Sequence, residues 1–109
     1  MKKFICLYVG PATPMEEMSE EDRAKNNEAW KAWMTKVGSS IVDLGAPMGP
    51  GKAVVDNDSM REAGDVNGYS ILSAESMDKA LELVMGHPFL SAKTGNFSVE
   101  VYELLPIEM

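Results

Sequence analysis

The sequence predicts an α+β fold in which two helices cover one face of a four-stranded antiparallel sheet. Three observations lead to this prediction. Residues 68–74 are typical of a strand and run straight into a capped helix. Residues 4–9 are an unbroken apolar run rich in strand formers, and residues 96–105 alternate apolar and polar side chains. The length of 109 residues fits one domain with one core, residues 1–109.

The first strand, residues 4–9, is apolar at every position, as in a strand that is covered on both faces. The first helix is predicted to begin after Ser19, because this hydroxyl can cap free amide groups and acidic residues follow it. Gly38 is predicted to end the helix. Its apolar positions recur at helical spacing: Ala29, Trp30, Trp33, Met34 and Val37.

The middle of the chain is predicted to be less regular. Residues 40–44 form a short strand, and residues 45–51 form a loop because glycine and proline dominate them. Residues 52–56 are a further strand, and residues 57–65 are a polar connection.

The second helix follows the strand at residues 68–74 and begins at Ser76 and Asp78. Gly86 and Pro88 are predicted to stop it. We expect its buried stripe to consist of Met77, Ala80, Leu81, Val84 and Met85.

The predicted order β-α-β-(β)-β-α-β is that of a ferredoxin-like sandwich. Two helices cover only one face of the sheet, yet the first strand is apolar on both faces. A second copy of the chain is the natural cover for the other face. The sequence therefore predicts a homodimer with the sheets face to face, a dimeric α/β barrel.

Charge and composition exclude several classes of function. Ten basic and seventeen acidic residues give a net charge of −7, which would repel a phosphate backbone, so we expect no nucleic-acid partner. No apolar run is long enough to span a bilayer, so we expect no membrane partner. Cys6 is the single cysteine and is predicted to be a buried hydrophobe. These features are typical of a cytoplasmic protein.

Four segments in order, together with the opening residues 1–4 and the two tryptophans, resemble the YCII-related family, which is also called the DGPF-domain family. The segments are residues 68–72, 77–81, 86–90 and 99–104. The resemblance covers nearly the whole chain and implies the same dimeric ferredoxin-like barrel.

The resemblance also implies a chemistry to compare with this sequence. A few members of the family are implicated in dehydrochlorination of small chlorinated aromatics, with a proposed His–Asp acid–base pair. The aspartate follows the first strand and the histidine lies in the first helix. The corresponding positions here hold Gly10 and a residue near Glu28, and no Asp-Gly-Pro-Phe signature occurs. The resemblance thus indicates the fold more than the reaction.

Three residues are candidates for catalysis. His87 is the single imidazole, the side chain that titrates near neutral pH. It is either an acid–base group or a cation at the end of the second helix, where the dipole would raise its pKa. Asp43 interrupts an apolar strand and is either a pocket carboxylate or a solvent-exposed one. Glu100 either lines a cavity or marks an exposed strand face.

Four residues of the first helix are candidates for a ligand pocket. Trp30 and Trp33 are predicted to be core or cavity wall, and Asn26 and Asn27 could form a polar mouth one turn earlier. One histidine and one cysteine do not make a typical zinc site, and no glycine-rich nucleotide motif is present. We therefore expect no metal and no cofactor.

Two classes of function remain open. The first is a small-molecule lyase or isomerase with His87 as base and Asp43 or Glu100 as its partner. The second is a non-catalytic dimeric module that binds a small ligand or another protein in the same cavity. A pair of titratable groups within hydrogen-bond reach in one pocket would favour the enzyme. An apolar pocket without such a pair would favour the binding module.

Overall fold

The computed structural model describes residues 1–11, 19–91 and 93–107. Its elements are β1 (Lys2–Val9), α1 (Glu20–Val37), β2 (Ile41–Pro47), β3 (Lys52–Val54), β4 (Met60–Glu62), β5 (Val66–Ala74), α2 (Met77–Val84) and β6 (Ser98–Leu104). A short 3₁₀ turn follows α1 and another, Pro88–Leu90, follows α2. In the described residues, no helix is both long and apolar enough to cross a membrane.

The main sheet has the strand order β2-β5-β1-β6, and every neighbouring pair is antiparallel. β1 and β2 run parallel but are separated by β5, so β1-α1-β2 is a split β-α-β unit. This is an α+β fold with one antiparallel sheet and two helices, consistent with the predicted ferredoxin-like order. β3 and β4 pair with each other in a separate hairpin.

Side chains of β1 alternate between two environments, as they must in a pleated strand. Phe4, Cys6 and Tyr8 are buried on the helix side of the sheet, whereas Ile5 and Leu7 are half-buried on the other side. Cys6 is therefore the buried hydrophobe that the sequence predicts.

The helix side holds the core. One cluster joins Cys6 and Leu72 of the sheet to Trp33 and Val37 of α1 and to Val84 of α2. A second cluster contains Phe4, Ala74 and Ala80. Both helices therefore bury one face against β1 and β5, the two central strands.

The start of α1 agrees with its prediction. The hydroxyl of Ser19 accepts a hydrogen bond from the backbone amide of Asp22 at 3.1 Å. Gly38 caps the other end with φ of 58°, a backbone conformation that glycine adopts without steric cost. The predicted cap of α2 is also present, because Ser76 accepts from the amide of Lys79.

The predicted buried stripe of α2 is partly wrong. Ala80 and Val84 are buried as expected, but Met77, Leu81 and Met85 are 38%, 42% and 68% exposed. The inward face of α2 is formed by Ala80, Val84 and Leu83, and Leu83 packs against both core clusters. Met85 lies beyond the last helical residue, so helical spacing does not place its side chain.

The middle of the chain departs furthest from its prediction. β2 extends to Pro47 instead of ending near residue 44, and β4 lies inside the expected polar connection. β2 continues past Gly45 because bulges take up the extra residues, and pairing with β5 resumes after them. One bulge lies between Asp43 and Ala46. Gly45 lies in this bulge with φ of 79°. A glycine that we expected to begin a loop instead bends a strand.

We predict that Gly45→Ala strongly destabilises the fold. A Cβ at this position would lie 1.8 Å from the carbonyl oxygen of Tyr69, and the backbone would keep its strained positive φ. The contact is with main chain, which no side-chain rotamer can relieve, so we expect a loss of more than about 2 kcal/mol. Urea unfolding measures it. Gly49→Ala is the matched control, because no atom lies within 4 Å of its Cβ. Equal stability of the two variants would contradict the bulge geometry.

Candidate ligand-binding cavity

A cavity of about 460 Å³ opens between α1, the end of β2 and the start of β5. This volume lies in the range of small-molecule sites. The described residues that line it are Tyr8, Asn26, Asn27, Trp30, Met34, Leu44, Gly45, Ala46, Pro47, Asn67, Gly68, Tyr69 and Phe89. Aromatic and apolar groups thus make most of the wall, with three asparagines as its amides.

α1 supplies one wall because its spacing places the required residues on one side. Asn26, Trp30 and Met34 are four residues apart and therefore lie one above another along the helix. Asn26 and Asn27 are exposed, whereas Trp30 is half-buried. The helix consequently offers amides towards its amino terminus and an aromatic ring further along.

The opposite wall depends on the bulge in β2. Leu44, Gly45, Ala46 and Pro47 all line the cavity, and Gly45 lies close against the backbone of Tyr69. The amide of Gly45 donates to the carboxylate of Asp43 at 2.9 Å, which closes the turn of the bulge. The bulge therefore shapes this wall. The carboxylate of Asp43 stabilises the bulge by accepting this hydrogen bond.

A chain of hydrogen bonds links two residues of the wall, Tyr8 and Leu44, through Ser70. The hydroxyl groups of Tyr8 and Ser70 are 2.7 Å apart, and the Ser70 hydroxyl donates to the carbonyl of Leu44 at 2.7 Å. Ser70 is fully buried and Tyr8 is 5% exposed. Burial raises the pKa of Tyr8 to about 12, so the phenol is neutral.

Asn67 joins the floor of the cavity to the end of β1. Its Nδ2 donates to the carbonyl of Gly10 at 2.7 Å, and the backbone amide of Gly10 donates to the carbonyl of Asp65. Phe89, which also lines the cavity, packs against Tyr8 with ring centroids 5.4 Å apart. These contacts hold the cavity wall without using a charged side chain.

His87 lies behind the cavity wall in an aromatic cage. Its ring is 4.3 Å from Trp33, 4.5 Å from Trp30 and 4.9 Å from Tyr8, measured between centroids. The side chain is 1% exposed, and it does not belong to the described lining of the cavity. The predicted acid–base group is therefore separated from the cavity by aromatic rings.

The hydrogen bonds of His87 define its protonation. Nδ1 accepts from the backbone amide of Phe89 at 3.0 Å, so the proton of the neutral ring is on Nε2. Nε2 has no hydrogen-bond partner among the described residues, and the indole rings beside it are the weak acceptors at hand. Burial lowers the pKa of His87 to about 4, because the charged form loses its contact with water.

This environment reverses our expectation that a helix dipole raises the pKa of His87. α2 ends at Val84, three residues earlier, and His87 instead starts the 3₁₀ turn Pro88–Leu90 as its cap. The imidazole is an acceptor at the amino end of a turn, where a positive charge is unfavourable. The helix therefore ends before Gly86 and Pro88, as predicted. The imidazole of His87, however, is neutral and not a cation.

The structure does not bring His87 together with either predicted carboxylate. Glu100 is directly opposite Leu7 on the face of the sheet away from the helices, and it accepts a hydrogen bond from the hydroxyl of Tyr102 at 2.8 Å. Asp43 is exposed and pairs with Ile71, which is half-buried on that same far face. The sheet thus separates both carboxylates from the imidazole.

The four residues predicted for the ligand pocket divide in a similar way. Asn26, Asn27 and Trp30 line the cavity. Trp33 is 3% exposed in the core, and its indole NH donates to the carbonyl of Leu83 at 2.9 Å, which ties α1 to α2. Among the described residues, no group of three or more histidine, cysteine or acidic side chains could hold a metal ion.

Sequence reasoning missed Tyr8, Ser70, Asn67 and the wall formed by β2. One signal was available: Tyr8 and Ser70 are polar groups on the strand faces that carry Phe4 and Leu72, and buried hydroxyls require hydrogen-bond partners. Nothing in the local sequence indicates that the Ser70 hydroxyl donates to the carbonyl of Leu44, which lies in the bulge of β2.

Comparison with known proteins identifies the class of fold. No family model matches the chain, and no curated protein sequence matches it. The structure is similar to that of 5-chloro-2-hydroxyhydroquinone dehydrochlorinase from Burkholderia phenoliruptrix AC1100, solved in complex with 2,5-dihydroxybenzoquinone. The TM-score is 0.54 and the sequence identity is 24%, over 92% of this chain and 90% of the other. The likeness therefore extends over nearly the full length of both folds.

We predict that His87 makes the protein less stable in acid. Its folded pKa of about 4 is below the unfolded value of about 6.5, so the unfolded state binds the proton first. This contribution is complete above pH 6.5 and is lost as the pH falls towards 4. We expect a loss of about 2 kcal/mol between pH 7 and pH 5.

Urea unfolding of the wild type and of His87→Gln at these two pH values measures the effect. The variant lacks the titrating group, so its stability should change less with pH, while the acidic residues contribute equally to both proteins. A wild type that gained stability in acid relative to the variant would contradict a buried neutral imidazole and support the cation at a helix end.

Proposed function

We propose that this protein is a small-molecule-binding module whose cavity takes one planar, mainly apolar ring compound. The observation that carries the proposal is the cavity of about 460 Å³ with Tyr8, Trp30 and Phe89 in its wall. Flat aromatic walls favour a flat aromatic guest through offset or edge-to-face contacts. The amides of Asn26 and Asn27 at the exposed end suit a polar substituent on the ring.

The chemistry of the described lining favours binding over catalysis. Its titratable side chains are Tyr8 and Tyr69. The pKa of Tyr8 is raised to about 12, so its phenol does not act as a base near neutral pH. An acid–base pair within one pocket was the feature expected of an enzyme, and the described wall holds no such pair.

A lyase or isomerase is the second candidate. The similarity in fold to a dehydrochlorinase of a hydroxylated, chlorinated ring supports it. In this alternative His87 is the base, and it is reached when the rings of Tyr8 and Trp30 move apart. Turnover of a ring compound by the wild type, measured as chloride release from chlorinated phenols, would support the enzyme. Loss of that turnover in His87→Gln would support the role of the histidine.

We predict that filling the cavity abolishes binding. Ala46→Phe adds a ring to a residue that lines the cavity, whereas the control Ala63→Phe adds the same ring to an exposed residue outside its described lining. Titration calorimetry and protein NMR with phenol, anisole and indole measure the affinity. We expect at least a tenfold loss in Ala46→Phe and no change in the control. Absence of binding of all three compounds to the wild type would refute the proposed function.

We further propose that two copies of the chain assemble through the face of the sheet away from the helices. Ile5, Leu7 and Ile71 lie half-buried on that face. Tyr102 and Leu104 at its edge are 52% and 40% exposed. These side chains form an apolar patch on that face, with Glu100 beside Leu7, and an exposed apolar patch is typical of an interface. A stable dimer buries about 1,200–2,000 Å² in total. A second copy presents the same apolar surface and is the complementary partner.

We predict that Leu7→Asp disrupts the dimer. A second carboxylate beside Glu100 would be buried in the interface next to a like charge. Light scattering at micromolar concentration should give twice the mass of one chain for the wild type and a monomer or insoluble protein for the variant. Ala24→Asp, on an exposed part of α1, introduces the same charge and should remain dimeric. A monomeric wild type would refute the assembly.

A further inference from the structure

We infer that the hydroxyl oxygen of Tyr8 is a hydrogen-bond acceptor that selects rings carrying a hydroxyl group over rings without a donor. The inference rests on the proposed ring-binding function and adds the chemical class of the ligand. It comes from the positions of three oxygens: those of Tyr8, Ser70 and the backbone carbonyl of Leu44.

A count of protons gives the direction of these hydrogen bonds. The carbonyl of Leu44 can only accept, and Ser70 has a single hydroxyl proton, which it donates to that carbonyl at 2.7 Å. The contact of 2.7 Å between Ser70 and Tyr8 therefore uses the proton of the phenol. The Tyr8 oxygen has then given its proton away and keeps its acceptor capacity.

The opposite arrangement would leave the carbonyl of Leu44 without this donor. Leu44 lies in the bulge of β2 and has no partner in the register between β2 and β5, and the Ser70 hydroxyl donates to its carbonyl. Ser70 is fully buried, where an unmade hydrogen bond is costly. With Ser70 as donor to Leu44 and acceptor from Tyr8, all three groups are satisfied.

Tyr8 and Leu44, which lie at the two ends of this hydrogen-bond chain, both line the cavity. We take the Tyr8 oxygen as the acceptor that the chain offers to a guest. A hydroxyl on the ring of the guest can donate to it. An ether or carbonyl oxygen brings a second acceptor against the Tyr8 oxygen and finds no proton there. Because the Tyr8 proton is already donated to Ser70, the site offers the ligand only an acceptor. It therefore prefers a ligand that carries a hydroxyl proton.

The matched probes are phenol and its methyl ether, anisole. Anisole is the more apolar compound, so an apolar cavity without a specific acceptor favours anisole. The quantity measured is the ratio of the two affinities, by titration calorimetry or NMR. We expect Tyr8→Phe to lower the ratio of phenol to anisole affinity by about three- to tenfold, as expected for one neutral hydrogen bond. Tyr102→Phe is the control, since this tyrosine bonds Glu100 on the far face of the sheet.

A second variant tests the direction of the bond without removing the ring. In Ser70→Ala the phenol of Tyr8 keeps its proton but loses the acceptor to which it donated. It can then donate this proton to the ligand. We expect this variant to gain affinity for acetophenone, whose carbonyl only accepts, relative to phenol. Circular dichroism establishes that each variant is folded. The reversal of preference in Ser70→Ala also decides the question if Tyr8→Phe does not fold.

The outcomes separate this inference from the function on which it rests. A phenol-to-anisole ratio that is the same in the wild type and Tyr8→Phe, with both compounds bound, overturns the acceptor role and leaves ring binding intact. An unchanged preference for phenol over acetophenone in Ser70→Ala overturns it in the same way. Failure of the wild type to bind phenol, anisole and indole overturns the proposed function, and the inference with it.

Discussion

The alternation of β1 is the constraint on which the rest of the structure depends. β1 is a central strand, paired with β5 on one side and β6 on the other. Phe4 and Cys6 place the core under both helices, and Tyr8, two residues further, ends that row at the cavity. A shift of one residue would exchange the two faces of the strand and remove the core and the cavity together.

The bulge in β2 shapes the cavity beside the central strands. A regular β2 would keep one register with β5 along its whole length. The bulge instead withdraws Leu44 from the register and turns the end of the strand into a wall. One backbone irregularity therefore accounts for the cavity wall, for the hydrogen bond to Leu44 and for the local role of Asp43.

The sequence was sufficient for features that depend on local spacing. The caps at Ser19 and Ser76, the stop at Gly38 and the alternation of β6 follow from short-range rules, and each is present. The fold class followed from the order of these elements. Features that depend on long-range pairing were not accessible. The extension of β2 and the pairing of β3 with β4 are set by a partner strand that local composition does not reveal.

The candidate site shows the same division. Helical spacing was enough to place Asn26 and Trp30 on one side of α1. It was not enough to separate Trp30 from Trp33, because both belong to the inward half of the helix and only the position of α2 distinguishes them. His87 attracted attention as a rare titratable residue, yet its burial among rings depends on the convergence of β1, α1 and the turn after α2.

The arrangement of the two tryptophans has a consequence for spectroscopy. Trp30 lines the cavity, Trp33 is shielded in the core, and their rings lie 6.1 Å apart, close enough to exchange excitation energy. Both rings contact His87, and a protonated imidazole quenches indole emission whereas a neutral one does so far less. We therefore expect the intrinsic fluorescence to respond both to the proposed guest beside Trp30 and to protonation of the buried histidine.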